Sequence, residues 1–321
     1  MIDQSLQNEA WQRLIAGQSL SQLSLPTRGE RIDLSGLRLP EPQIIRQFRT
    51  SVADVTEITP NGEFRDVRWS NLDFTNSNLP SLRFWNSEII NCCFDGCRMT
   101  DLLPFGTTFR NCSFRKADLR RSGLGAPLQT GPSGYRRNIF AGVDFTEADL
   151  RQTIYIAAGF ERCVFRNTKL VKIDFGNSTF TDCQFEGELR EVQFWRSNLF
   201  LRPELPADAF PPNEMLNADF SRAKLRNVEF RGIDLSNVRL PNDADHIIVQ
   251  NYGITLDKLI EALRKDGDRT AMILIAAFEI DRKWAVPGSP GVLNKHDLAE
   301  AGDDAVERVM KLLKEFKSVV Q

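Results

Sequence analysis

Histidine is nearly missing from this chain, with two residues, His246 and His296, in 321. Neither stands in a metal-ligating or nucleophile-activating motif, which argues against most proton-shuttling and hydrolytic chemistry. A glycine-rich phosphate loop is missing too: the glycines between Gly125 and Gly134 lack the spacing and the strand-then-helix context that nucleotide binding requires. No run of about 18 apolar residues occurs, so no membrane-spanning helix is expected. The first residues, Met1 to Gln7, carry neither a basic cluster nor an apolar signal core, and cytoplasmic location is the default. Neither sign of charge is in excess: 41 basic residues face 43 acidic ones, a net charge of −2. That balance points to neither a nucleic-acid partner nor a membrane surface.

Cysteine is present but not as a framework. Cys92, Cys97, Cys112, Cys163 and Cys183 all recur two positions before a bulky residue, as filler of a core would, and only Cys93 falls outside that register. Cys92, Cys93 and Cys97 have no partner pair at zinc-finger spacing. No enzyme activity, metal or cofactor is expected.

What the chain does have is a bulky apolar residue at every fifth position: Phe64, Trp69, Phe74, Leu79, Phe84, Ile89, Phe94, Met99, then through Pro104 to Phe109, Phe114, Leu119 and Leu124. A helix needs a period near 3.6 and a strand a period of 2, so a period of five fits neither and calls for a repeat architecture. Two positions before each bulky residue stands a smaller one, such as Leu72, Ser87, Cys92 or Ala117. Two positions after it stands turn chemistry, as at Asp66, Asn71, Asn76, Ser81, Asn86, Asn91, Gly96, Asp101, Gly106 and Asn111. Each unit thus reads as one short extended side and one corner, with both apolar positions pointing inward.

Units such as Ala117-Asp118-Leu119-Arg120-Arg121 and Ala148-Asp149-Leu150-Arg151-Gln152 resemble the A(D/N)LXX consensus of the pentapeptide-repeat family. The resemblance covers roughly residues 62 to 240. It implies an all-β solenoid, a right-handed four-sided β-helix with 20 residues per coil. Equivalent positions then stack, giving inward columns Phe74-Phe94-Phe114, Phe140-Phe160-Phe180 and Phe145-Phe165-Phe185. A one-residue slip near Glu188 shifts the phase to Leu189, Phe194 and Leu199, and Phe220 to Leu240 complete about eight coils.

Around this repeat the chain divides into residues 1–59, an N-terminal helix and cap; 60–243, the β-helix; and 244–321, an α-helical domain that could dimerise. In the first segment, Leu6, Ala10, Leu14 and Trp11 or Ile15 mark one side of a helix stopped by Gly17. Arg31 to Leu39 carry two units in the five-residue rhythm, and the stretch to residue 59 reads as helical or irregular. Glycine and proline content marks residues 125–139 and 200–214 as loops. Helical patterns cover Thr255–Lys265, Asp268–Trp284 and Asp304–Val320. The second, with Ala271 to Phe278 apolar all round, reads as buried, and the third opens on a capping box, Asp304 with Glu307.

Candidate contact residues are those that break the inward rule. Trp85 and Phe105 each follow a central residue, 20 apart, and should stack on an outer face with Leu103 nearby and Arg65 one coil below. Tyr135, Arg136 and Arg137 stand in the first loop, and Trp195 also follows a central residue. Arg110, Arg115, Lys116, Arg120 and Arg121 are spread about the perimeter, and Asp118, Asp144, Asp149 and Asp174 should face solvent.

A non-enzymatic scaffold binding a protein partner is therefore the expected function. The alternative implied by the family resemblance is a protein that binds DNA gyrase or topoisomerase IV and protects it from quinolone-type poisons. Some such relatives are acidic rods that mimic a DNA duplex. Here residues 60–243 hold 24 Lys plus Arg and 23 Asp plus Glu, without the acidic field that mimicry requires.

Overall fold

Every fifth residue of the repeat turns the chain through the left-handed region. Asp66, Asn71, Asn76, Ser81, Asn86, Asn91, Asp101 and Asn111 all have φ between 48° and 62°, and Gly96 and Gly106 share it at 65° and 60°. Asparagine and aspartate tolerate this conformation because their short side chains hydrogen-bond locally, and glycine has no Cβ to clash. The corners predicted from turn chemistry are therefore the corners present. These observations come from a computed structural model, which describes residues 4–49, 54–131, 134–197, 206 and 209–317. The chain forms two units, residues 1–169 with 206–210, and 170–205 with 211–321.

In the first unit, parallel strands of three or four residues stack with a register of 20. Phe64 pairs with Phe84 and Phe84 with Pro104, while Trp69 pairs with Ile89 and Ile89 with Phe109. After the excursion at 125–139 the step is 31: Phe109 pairs with Phe140, which then pairs with Phe160. Within this unit the inward rings stack along Phe74-Phe94-Phe114, Phe140-Phe160 and Phe145-Phe165. Phe74 stacks on Phe94 at 5.5 Å and Phe94 on Phe114 at 4.8 Å; Phe140–Phe160 and Phe145–Phe165 both lie at 5.1 Å. Burying each such ring contributes about 1.5–3 kcal/mol before entropy.

The smaller inward position is also polar enough to serve the backbone. Cys97 Sγ donates to the carbonyl of Phe74 at 2.8 Å, Cys163 Sγ to Phe140 at 3.1 Å, and Thr168 Oγ1 to Phe145 at 2.8 Å. All six cysteines are free, buried thiols, Cys93 included. Burial pushes the thiols of Cys97 and Cys112 up.

Helix α1 (Gln4–Ile15) buries Gln7, Ala10, Trp11 and Leu14, and Gly17 ends it at φ 66°. Trp11 lies edge-on to Phe64 at 5.6 Å and to Trp69 at 6.2 Å, the first inward rings of the repeat. Residues 31–39 pair with the first coil, Ile32 with Leu72 and Arg38 with Asn78. The stretch read as helical or irregular is instead an antiparallel ribbon, Ile44–Arg49 against Asp54–Ile58. Its β-branched content, Ile44, Ile45, Val55, Thr56 and Ile58, explains the preference for strand.

In the second unit the long strand Gln184–Trp195 pairs in parallel with Leu170–Asp174 on one side and Asp219–Arg231 on the other. Leu170 meets Leu189, a step of 19, which is the one-residue slip placed near Glu188. Phe185 stacks on Phe220 at 4.3 Å and Phe194 on Phe230 at 5.3 Å. Phe180, expected to extend the column from Phe160, stands in this unit, edge-on to Phe194 at 5.4 Å. Leu199 and most of the 200–214 excursion lie outside the described residues.

The helices that follow are α2 (Tyr252–Leu263), α3 (Arg269–Trp284), α4 (Lys295–Ala299) and α5 (Ala305–Glu315), around an antiparallel pair, His246–Val249 with Gly291–Asn294. Two expectations are overturned here. Helix α3 is not buried all round: Ala271, Leu274 and Phe278 face the core, whereas Met272, Ile273 and Ile280 are 58%, 41% and 54% exposed. Only one stripe of a helix can face a single-sided core. Asp304 precedes α5 without capping it through its side chain, because the carboxylate is drawn to Arg308, which also holds Asp266 and Asp268. Val320 lies outside the described residues.

Candidate interaction face

The strands Gly62–Arg65, Leu82–Trp85 and Leu103–Phe105 alternate, so Phe64, Phe84 and Pro104 point inward and their neighbours outward. The outward residues after the central position form one column. The Trp85 and Phe105 rings stack at 5.3 Å with a 16° interplanar angle, and the Arg65 guanidinium lies 4.0 Å from the Trp85 ring centre. Both rings are half-buried. A guanidinium on an indole face is attracted by the ring quadrupole, so the column is held at one end by a cation–π contact. In the neighbouring column Arg83 bonds Glu63 at 3.3 Å and the Ile58 carbonyl at 3.1 Å, and Leu103 is half-buried, with Gly123 close beside it.

The 125–139 excursion is not a featureless loop. Leu128–Gln129 pairs with Tyr135–Arg136 in a short antiparallel hairpin. The hairpin rests on the corner at Gly106, where a Cβ would come within 2.9 Å of Leu128 Cβ. Arg136 donates to Asn86 Oδ1, and Asn86 Nδ2 donates to Asp66. Tyr135 meets Phe210 edge-on at 6.3 Å, and the Arg137 guanidinium packs against Gly159. Burial lowers the pKa of Arg137, which Glu161 partly offsets.

The residue that returns the hairpin to the coil was not singled out from sequence. Asn138 is fully buried at the small inward position, two before Phe140. Its Oδ1 accepts from the Thr107 N–H at 2.9 Å, and its Nδ2 lies within reach of the carbonyls of Pro104, Leu124 and Ala126 at 2.8, 2.9 and 3.3 Å. An asparagine in a column of Cys, Ser, Thr and Ala was the available signal. Asn213 repeats it two before Met215, accepting from the N–H groups of Phe180 and Met215 at 3.2 Å.

Other candidates fall elsewhere. Trp195 is no outer residue: it is 7% exposed, edge-on to Trp284 at 5.1 Å, with Arg231 4.3 Å from its ring centre. The ring is covered by Trp284 at the end of α3, which sequence spacing could not reveal. The basic residues are largely paired, Arg115 with Asp144, Lys116 with Glu147, Arg120 with Asp118 and Arg121 with Asp101. Asp149 is not solvated as expected but 8% exposed and held by Arg151 at 2.7 Å. For Asp118 and Asp149, burial raises the carboxyl pKa, but the bonds to Arg120 and Arg151 outweigh it and leave both below the usual range. His246 is buried, a core residue of the second unit, while His296 stands near Asp245 at 3.5 Å. Among the described residues no three His, Cys, Asp or Glu side chains form a group that could hold a metal, and no helix is long and apolar enough to cross a membrane.

Short parallel strands in register, inward aromatic columns and a corner every fifth residue define a solenoid of five-residue units. The family model described as pentapeptide repeats matches residues 158–187 and 214–241 in eight copies, so the chain carries pentapeptide repeats. No curated protein matches it in sequence. Among solved structures, it is similar to a trypsin-treated form of QnrB1, a plasmid-mediated fluoroquinolone resistance protein, at 16% identity over 56% of this chain and 93% of that one, TM-score 0.26. It is similar to Rfr23, a pentapeptide-repeat protein from the cyanobacterium Cyanothece 51142, at 15% identity over 38% and 83% of the two chains, TM-score 0.16. HetL, a pentapeptide-repeat protein involved in heterocyst differentiation regulation from Nostoc sp. strain PCC 7120, is 13% identical over 56% and 85%, TM-score 0.16.

Proposed function

We propose that this chain is a non-enzymatic scaffold that binds a protein partner through the outer face bearing Trp85 and Phe105 and the hairpin bearing Tyr135, Arg136 and Arg137. The observation that carries this reading is the outward stack of Arg65, Trp85 and Phe105. Elsewhere on the first unit, outward positions hold mostly polar residues and paired charges, whereas aromatic and arginine side chains are the types that dominate contact energetics. In the same reading the repeats form a right-handed, four-sided β-helix over residues 60–243. Residues 1–59 close one end, where Trp11 lies on Phe64 and Trp69, and residues 244–321 form a helical domain.

Capture of the partner from host extract with the whole chain, and with the Trp85→Ser/Phe105→Ser double variant, tests the reading. A partner retained by the native chain and lost by the variant is expected; equal recovery by both sinks the assignment of this face. DNA gyrase and topoisomerase IV are the narrower partners to try first. Supercoiling and cleavage assays with and without a quinolone decide that point, and no effect at micromolar protein excludes them. The paired charges of Arg115, Lys116, Arg120 and Arg121 speak against duplex mimicry as the mode of binding.

A further inference from the structure

The second unit carries an apolar face of its own. On α3, Met272, Ile273 and Ile280 are exposed on either side of the small, exposed residues Ala276 and Ala277. Such a stripe on a helix that already buries Leu274 and Phe278 is a second, unpartnered side. Beside it runs an open groove of about 440 Å³. Ile273, Ala277 and Ile280 form one wall, and Glu229, Asp297 and Glu300 stand on the lining opposite, with no lysine or arginine among the lining residues. Arg226 lies behind, bonded to Asp297 at 3.0 Å and 3.8 Å from Glu300, whose side chain remains 61% exposed.

We infer that this groove receives one amphipathic helix of a partner protein, with an apolar face flanked by lysine or arginine. Three observations select that occupant. The apolar wall runs along a single helix of 16 residues, about 24 Å, so its length matches one helix. The small residues at its centre allow a second helix to approach closely, as helix-in-groove recognition requires. Arg231 holds Glu229 at 2.6 Å and Arg226 holds Asp297 at 3.0 Å, which leaves the exposed Glu300, 3.8 Å from Arg226, as the carboxylate that a cationic flank of the incoming helix would meet. A second copy of this chain is the poorer occupant, because it would bring the same stripe and the same acidic lining, Glu300 included, against its own. This site is distinct from the aromatic face of the first unit and does not depend on it.

The test uses the whole chain and a fluorescein-labelled synthetic leucine–lysine helix with its leucines on one face, followed by fluorescence anisotropy at low and at moderate salt. Saturable binding that weakens with salt is expected, together with at least about tenfold weaker binding of a leucine–glutamate helix and of a permuted leucine–lysine peptide with no apolar face. Ala277→Arg and Glu300→Lys each weaken binding about tenfold, and both positions are exposed, so thermal melts should match the native chain. Equal binding of the permuted peptide, or unchanged binding by Ala277→Arg, overturns the proposal. So does a concentration-dependent dimer in equilibrium sedimentation that Ala277→Arg abolishes, since a second copy would then cover the groove.

Discussion

Asn138 Oδ1 accepts the backbone N–H of Thr107 at 2.9 Å, the place that the hydroxyls of Ser87 and Thr107 fill for the N–H groups of Val67 and Ser87 in the preceding coils. The amide of the same side chain faces three carbonyls. Asn138→Ala should lower stability by about 2–4 kcal/mol, since buried backbone groups left without partners cost about 1–3 kcal/mol each and relaxation recovers part of it. Asn138→Asp should be no better, because it retains the acceptor but turns a second oxygen toward carbonyl oxygens. Urea melts followed by circular dichroism check both; an unchanged midpoint for Asn138→Ala would show that the staple is dispensable.

In the second unit the Leu225 N–H donates to His246 Nε2 at 3.0 Å, and Asn294 Nδ2 donates to the Leu225 carbonyl at 2.7 Å. Asp243 Oδ1 lies 2.8 Å from the other ring nitrogen and fixes the tautomer that leaves Nε2 free to accept. Two residues on, the Asn227 N–H donates to Asp297 at 2.8 Å. At Leu225 and Asn227 the edge of the strand Asp219–Arg231 is thereby met by side chains, whereas its first residues bridge to the backbone of Arg239. His246→Ala should cost about 1–3 kcal/mol, and hydrogen exchange at Leu225 and Asn227 should accelerate. Retained protection at both amides would rule out this role.

Asp281 is half-buried and accepts from the Tyr252 hydroxyl at 2.6 Å; desolvation pushes its pKa up to about 6, with Tyr252 and Arg231 opposing. A carboxyl raised in the folded state favours the fold while protonated. Its contribution is full below the ordinary value near 4 and is lost as pH rises through about 6. The stability of the native chain minus that of Asp281→Asn should therefore fall by roughly 2–3 kcal/mol between pH 4 and pH 7.5. A pH-independent difference would count against the raised pKa.

Gly106 combines a φ of 60° with close packing on Leu128. Gly106→Ala should strain the corner by about 1 kcal/mol and lift the hairpin from the face. Limited proteolysis between residues 125 and 139 should quicken several-fold while cleavage elsewhere does not. An unaltered cleavage pattern would mean that the hairpin does not depend on this corner.

The repeat was legible because its cause is local: a bulky residue every fifth position and a turn residue two places on dictate side and corner without reference to anything distant. The stack of Trp85 on Phe105 with Arg65 followed from the same arithmetic. What could not be read depended on neighbours far along the chain. Trp195 obeys the outward rule until α3 covers it, and α3 looks apolar all round until the strands of the second unit bury only one stripe. His246 has no sequence motif because its partner is a backbone N–H. Asn138 was visible as an exception in its column, but its meaning required the four groups that surround it.

The change of register from 20 to 31 across the first excursion has a consequence for how such a chain can vary. Thr108 pairs with Ile139 as though nothing intervened, so the surplus residues are carried wholly outside the ladder. The backbone of the coil joins that segment at Gly125 and Asn138, and the hairpin between them touches the coil through side chains, Leu128 at Gly106, Arg136 at Asn86 and Arg137 at Gly159. A replacement of different length or composition between them would present a new contact surface without asking the solenoid to refold, which makes this position a natural port for exchanging binding specificity.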